Sequence, residues 1–267
     1  MSFGFLEGFN NKLRNIFRSD WLGIYLTSDY KIFLCGTPFD KPAPFQLQDA
    51  NFASQQYDVL VNSVITEVQK KCKRWPPPHI FFCNSLDAPS LSTDFFKKIT
   101  AQQSVNMYPT DCKMPAAIGA GMNVTDFSKQ LVIAMVENTI HSYLVFASCI
   151  YYYESAPISS SDSLQEALNA QIARIDAGIE PDLPTHFKNI NLGEDEINQI
   201  NSGWAKPCSE QLFLIGSPSV LIDIDKEIRG YKIVSCEGLD ECIVSGMDTI
   251  IKGVSQLPAG TRIGKKD

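Results

Sequence analysis

KQLVIAMVENTIHSYLVFASCIYYYESA, residues 129–156, is the stretch of this sequence that decides the fold. Three short runs rich in β-branched and aromatic residues, at 131–135, 143–146 and 150–153, predict strands rather than a helix. A polar segment, residues 136–139, separates the first two runs. A loop that wraps phosphate groups needs glycine, because its backbone N–H groups must turn inward without side chains in the way. This segment contains no glycine, so the sequence predicts a hairpin without a phosphate loop.

The flanks of this hairpin carry two further motifs. DCKMPAAIGAG at 111–121 reads as a small-residue helix that ends at Gly119 or Gly121, and SSSDSLQEAL at 159–168 opens another helix. Together with AMVENTIHSYL at 134–144, they resemble the motifs EEPMAAAIGAG, DIGGGTTEVAV and GGDxFDEAI of the MreB branch of the actin and Hsp70 ATPase superfamily. The order along the chain is the same.

The resemblance continues over most of the chain. Segments 19–36, 74–85, 211–228 and 230–253 are similar to the family's first hairpin, a core strand, the adenosine loop with its helix, and the closing strand and helix. It implies an α/β, actin-like (RNase H-like) two-lobe fold. We therefore predict an N-terminal helix at 1–19, lobe I at 20–129 plus 236–267, and lobe II at 130–235.

Two regions are short compared with the family. Residues 37–56 separate the first hairpin from a predicted helix at 57–72, where the family has a small subdomain. Residues 177–210 stand in place of the second small subdomain and are punctuated by Pro and Gly. Both peripheral subdomains are therefore predicted to be reduced or missing.

The nucleotide-binding positions implied by the resemblance carry unsuitable residues. Tyr25 stands at the position of a magnesium-binding Asp, and Thr27-Ser28 replaces the Gly-Thr that follows it. Cys112 replaces the water-orienting Glu, and Ala134 replaces a second Asp. Val136-Glu137-Asn138 replaces three hairpin glycines, and Gly216-Ser217-Pro218 stands in place of the adenosine loop. A phenol does not replace a carboxylate as a ligand of a hard cation. Pro218 also removes a backbone donor.

These losses together predict a protein that is not an enzyme, since phosphoryl transfer depends on positioning and charge stabilisation. We expect no catalytic residues, no cofactor and no bound metal, and hence a pseudo-ATPase. The alternative is a divergent ATPase or filament-forming switch that binds ATP and magnesium through substitutes. Those substitutes are Asp29, Asp111, Glu137 and Ser217.

Composition narrows the function classes further. The chain is 44% hydrophobic and 20% charged, with a net charge of −7, and residues 154–248 carry 17 acidic and 6 basic side chains. An acidic half of this kind disfavours nucleic-acid binding. The eight cysteines form no C-x-x-C pair and the three histidines are scattered, which argues against a zinc site. We expect reduced cysteines and a cytoplasmic location.

The N-terminal segment is the predicted membrane contact. Bulky apolar residues recur every three or four positions, which gathers them on one side of a helix: Phe5, Leu6, Phe9, Leu13, Ile16 and Phe17. Such a helix lies in a membrane interface, and it is too short to span one. Many MreB proteins bind membrane through a helix at this place. The alternative is that this helix docks on another part of this protein or on a partner protein.

The combined interpretation is a non-catalytic MreB-like protein, peripheral at the inner face of the cell membrane. It would be a scaffold, adaptor or modulator of MreB-type filaments or of envelope and cell-shape proteins, and a monomer or weak oligomer. A second alternative is a small-molecule or peptide binding module that uses the former nucleotide cleft.

Overall fold

The computed structural model describes residues 21–27, 31–45, 62, 66, 70, 79–86, 106–159, 163–180, 182, 193–222 and 224–255. The chain divides into two compact units, residues 1–110 with 247–267 (unit 1) and residues 111–246 (unit 2). The sequence-based boundaries lay instead after residues 129 and 235. The predicted N-terminal helix at 1–19 lies outside the described residues, and so do Ser28 and Asp29.

Unit 1 is built on a five-stranded sheet with the order β3-β2-β1-β4-β5. Its strands are β1 (Trp21–Leu26), β2 (Ile32–Gly36), β3 (Ala43–Phe45), β4 (His79–Asn84) and β5 (Asn106–Thr110). β1 pairs antiparallel with β2 and parallel with β4. All six residues of β1 are buried, as expected for a strand that has a neighbour on each side and is covered on both faces.

Unit 2 is built on a six-stranded sheet with the order β10-β11-β9-β6-β7-β8. Its strands are β6 (Gln130–Val136), β7 (Thr139–Phe146), β8 (Cys149–Pro157), β9 (Gln211–Gly216), β10 (Glu227–Ile228) and β11 (Tyr231–Glu237). β6 pairs antiparallel with β7 and parallel with β9. The three strands predicted within 129–156 are confirmed as parts of β6, β7 and β8.

The two sheets share one topology. In each, an antiparallel three-stranded meander is followed by two parallel strands that add beside its first strand, and unit 2 has the short β10 as an extra edge. The predicted mixed α/β fold class is confirmed. The sequence does not reveal the duplicated strand order, because the two hairpins share no common sequence motif.

Five helices have both of their ends among the described residues, and residues 62, 66 and 70 are helical as well. The five helices are α1 (Lys113–Gly119), α2 (Leu164–Gly178), α3 (Glu194–Trp204), α4 (Pro218–Leu221) and α5 (Leu239–Ser255). α1 ends at Gly119, one of the two predicted positions. α2 begins with a capping box in which Ser163 and Glu166 exchange hydrogen bonds. None of the described helices has the length and apolarity needed to cross a membrane.

Helix α5 contributes to both units, residues 239–246 to unit 2 and residues 247–255 to unit 1. In unit 1, its Asp248 carboxylate accepts a buried hydrogen bond from the Gly36 N–H at 3.0 Å and an ion pair from Lys252 at 2.5 Å. In unit 2, α5 packs against α1 so closely that a Cβ on Gly119 would overlap the carbonyl oxygen of Cys242. Glycine on the interface is what permits this approach.

Helix α2 covers part of the unit 2 sheet. Leu168, Ile172 and Ile175 are fully buried against β6, β7 and β9. The regions predicted to be short contribute β3 from 37–56 and α3 from 177–210, as far as these regions are described.

Candidate functional site

The hairpin that should carry a phosphate loop closes in two residues. Val136 pairs with Thr139, and only Glu137 and Asn138, both exposed, lie between them. Glu137 adopts a left-handed conformation, with φ of 51°, which costs a residue with a Cβ about 1–2 kcal/mol. The chain thus turns with a carboxylate at the tip. The turn has no glycine, and its charge opposes that of a phosphate group.

The loop after β9 is packed with apolar side chains. A Cβ on Gly216 would lie 3.0 Å from the terminal methyl of Met135 and 3.5 Å from Leu221. Ser217 precedes α4, with its carbonyl bonded to the N–H groups of Val220 and Leu221 at 3.0 and 3.1 Å. Pro218 is the first residue of α4. Side chains of this protein therefore occupy the space beside the remaining glycine.

Helix α1 begins with a carboxylate that is already paired. Asp111 accepts hydrogen bonds from the backbone N–H and the ammonium of Lys113, at 2.9 and 2.5 Å. Cys112 is buried at the N-cap position and forms no side-chain capping bond. The Asp111 carboxylate therefore forms its hydrogen bonds and its ion pair within the same turn of the chain, with Lys113.

Tyr143 fixes α1 to the sheet. Its phenol is fully buried and donates to the carbonyl of Lys113 at 3.0 Å. Burial raises the pKa of Tyr143 well above its usual value. This hydroxyl therefore stays protonated and acts as a structural donor.

In unit 1, the predicted site residues belong to the β1–β2 hairpin. Tyr25 is fully buried in β1, with its ring 5.9 Å from that of Phe33. The hydroxyl of Thr27 accepts from the N–H of Lys31 at 2.8 Å and donates to its carbonyl at 3.1 Å. This arrangement closes the turn with local hydrogen bonds.

The structure brings predicted site residues of unit 2 together at the carboxyl-terminal ends of two adjacent strands. β6 and β9 are parallel neighbours, and Ala134 pairs with Ile215, so the Glu137 turn and the Gly216–Pro218 loop follow the same ends of adjacent strands. Ala134 is fully buried. Among the described residues, no group of three or more His, Cys, Asp or Glu side chains is placed to hold a metal ion.

Sequence reasoning missed a buried polar network in unit 2. The Gln171 amide donates to the Ser142 hydroxyl at 2.5 Å, and that hydroxyl donates to the carbonyl of Glu154 at 3.1 Å. Arg174 donates to the Gln171 side-chain oxygen and lies 3.5 Å from the Glu154 carboxylate. Ser142 and Gln171 are 29 positions apart, so no local pattern in the sequence could have revealed the contact.

No protein-family model matches this sequence, and no curated protein matches it. Among solved structures, the chain is similar to MreB5 of Spiroplasma citri bound to ADP, with a TM-score of 0.50 and 8% identity over 89% of this chain and 97% of that one. The AMPPNP-bound form of the same protein gives a TM-score of 0.50 and 9% identity over 89% of this chain and 97% of that one. Ta0583, an archaeal actin homologue, gives a TM-score of 0.48 and 12% identity over 88% of this chain and 99% of that one.

At such low identity, the likeness to MreB5 shows the fold alone. The protein therefore has an actin-like fold. The MreB5 structures hold ADP and AMPPNP, and that property belongs to MreB5.

Proposed function

We propose that this protein is a non-catalytic, MreB-like cytoskeletal protein, a pseudo-ATPase that acts as a membrane-associated scaffold, adaptor or modulator of bacterial actin filaments or of the cell-shape machinery. One observation carries the loss of catalysis: the β6–β7 hairpin closes in two residues with Glu137 at its tip. Nucleotide phosphates would meet a negative charge and a turn without glycine, whereas the fold itself is retained.

The packing beside Gly216 supports the same proposal. Met135 and Leu221 fill the space next to this glycine, and α4 begins with a proline that supplies no N–H. A ring-shaped base would have to displace the buried Met135 and the half-buried Leu221 in order to enter here. Filled space of this kind suits a protein that uses its fold as a rigid frame.

The membrane part of the proposal rests on the N-terminal sequence. The apolar residues at positions 5, 6, 9, 13, 16 and 17 accompany Lys12, Arg14 and Arg18, a combination suited to an anionic lipid surface. The location proposed is the inner face of the cell membrane, with the two units facing filaments or envelope proteins.

Sedimentation with vesicles that contain phosphatidylglycerol tests this role. Wild-type protein should pellet with the vesicles equally with and without Mg-ATP. The double variant Phe9→Glu/Leu13→Glu should remain in the supernatant, because it places charges on the apolar side of the helix. The matched control Asn11→Glu/Asn15→Glu adds the same charge elsewhere on the helix and should pellet. Equal pelleting of both variants, or pelleting only with Mg-ATP, would contradict the proposal.

A further inference from the structure

A groove opens in unit 2 at the amino-terminal ends of β6, β9 and β11. Its volume is about 470 Å³, and its walls include Lys129, Asp176, Ile179, Trp204, Cys208 and Tyr231. We call it the Trp204 groove. Gly216 is the last of the six residues of β9, which span about 20 Å along the strand. The groove therefore lies at the opposite end of the strands from the Glu137 turn.

A buried cation lies in this groove. Lys129 is 8% exposed, and its ammonium donates to the carbonyl of Trp204 at 2.7 Å while lying 5.0 Å from the centre of the indole ring. A lysine ammonium has three N–H donors, and a buried charge is costly unless its donors are matched. Within the described residues, one protein acceptor serves this ammonium.

Trp204, one of the residues that line this groove, has a buried donor without an acceptor. Trp204 is 4% exposed, and its indole N–H has no hydrogen-bond partner in the described part of the protein. Edge-to-face contacts with Phe146 and Tyr151, at 5.2 and 5.3 Å between ring centres, hold the indole in place. An unmatched buried donor costs about 1–3 kcal/mol, so an acceptor supplied by a ligand would be favoured here.

The remaining walls indicate the rest of the ligand. Ile179, Ala205 and Pro207 are apolar. A second cavity of about 120 Å³ shares Ile179 and Trp204 and is also lined by Leu144 and Tyr151. The Asp176 carboxylate accepts a hydrogen bond from the Tyr231 hydroxyl at 2.8 Å and forms an ion pair with the Arg229 guanidinium at 4.0 Å. Asp176 and the exposed Glu180 at the rim disfavour a doubly charged anion such as phosphate.

We propose that the Trp204 groove binds a small aliphatic monocarboxylate. Its carboxylate accepts hydrogen bonds from the Lys129 ammonium and the Trp204 indole N–H, and its hydrocarbon chain lies against Ile179 and Pro207. The inference is independent of the proposed scaffold role, since it concerns the opposite end of the unit 2 strands.

The indole N–H itself supplies the test. The full chain has three tryptophans, so protein labelled with ¹⁵N at the indole nitrogen gives three NMR signals, and Trp204→Phe identifies the one that belongs to Trp204. Titration with butyrate to about 10 mM covers the millimolar affinities expected for so small a ligand. Butyrate should move the Trp204 signal in a saturable way, whereas butanamide, its uncharged analogue, should bind about tenfold more weakly.

Variants test the two donors separately by ligand-observed saturation transfer. Trp204→Phe and Lys129→Met should each weaken butyrate binding about tenfold, the effect of removing a hydrogen bond to a charged group. Lys232→Met, a control on an exposed lysine of β11 that pairs with Glu210, should bind as wild type. If Lys129→Met does not fold, Trp204→Phe decides. An unmoved Trp204 signal, equal binding of butanamide, or unchanged binding by Trp204→Phe would overturn the proposal.

Discussion

At the scale of single residues, the glycines of unit 2 have unequal roles. Gly119 and Gly246 lie where α1 and α5 touch through their backbones, and a Cβ on either would overlap a carbonyl oxygen, of Cys242 or of Pro115. Gly216, in contrast, faces the flexible end of Met135. We therefore expect the fold to require the glycines of the helix contact more strictly than Gly216.

We predict that Gly119→Ala and Gly246→Ala each lower the free energy of unfolding by about 1–3 kcal/mol, because the two helices must separate to admit a methyl group. Gly253→Ala is the matched control on α5, since its added Cβ would meet no other part of the described protein within 4 Å, apart from the adjoining turns of its own helix. Alanine there should raise stability by as much as about 1 kcal/mol. Urea denaturation measures all three, and a harmless Gly119→Ala would refute the close helix contact.

Gly216→Ala should change the free energy of unfolding by less than about 1 kcal/mol, because the Met135 side chain can rotate away from the new methyl group. Vesicle binding should be unaffected. The same urea experiment measures the stability change. A loss as large as that of Gly119→Ala would mean that the backbone at position 216 is held more tightly than its contacts indicate.

At the scale of elements, a cluster of aromatic rings joins three strands of unit 1. Trp21 of β1 stacks on His79 of β4 with 3.9 Å between ring centres, and the Tyr108 hydroxyl lies 3.3 Å from the His79 Nδ1. The parallel pairing of Trp21 with His79 places these rings side by side. Burial lowers the pKa of His79 from its ordinary value.

This pKa shift predicts a pH dependence of stability. A histidine whose pKa is lowered by folding favours the neutral form, so its contribution is complete above about pH 6.5 and declines as the pH falls towards the lowered pKa. Wild-type protein should therefore lose more stability between about pH 7.5 and pH 5.5 than His79→Phe, in which a ring of similar size remains stacked. Parallel pH profiles for the two proteins would contradict this expectation.

The elements also show what the sequence could and could not predict. Runs of β-branched and aromatic residues predicted the β6–β8 meander correctly, because strand pairing is local there and consecutive strands are neighbours. The first residue of β7 is Thr139 rather than Tyr143, since the ladder runs up to a two-residue turn. The burial of Gln171 against Ser142 and the approach of Met135 to Gly216 depend on distant pairings that no local pattern encodes.

At the scale of the whole molecule, the chain contains two compact units whose main sheets have the same strand order. The family resemblance predicted the fold class, because segments resembling its motifs occur in the family's order along most of the chain. The division into two compact units falls inside α5, and a boundary inside a helix leaves no mark in composition.

We propose that this actin-like fold has no working nucleotide site. Thermal unfolding with and without Mg-ATP tests it most directly, because a ligand at about 100 times its dissociation constant adds about 2.7 kcal/mol of stability. For a protein of this size, that corresponds to a rise in Tm of several degrees. We predict no rise at about 5 mM Mg-ATP beyond that seen with magnesium sulfate of equal ionic strength. A saturable increase in Tm with ATP concentration would contradict the account.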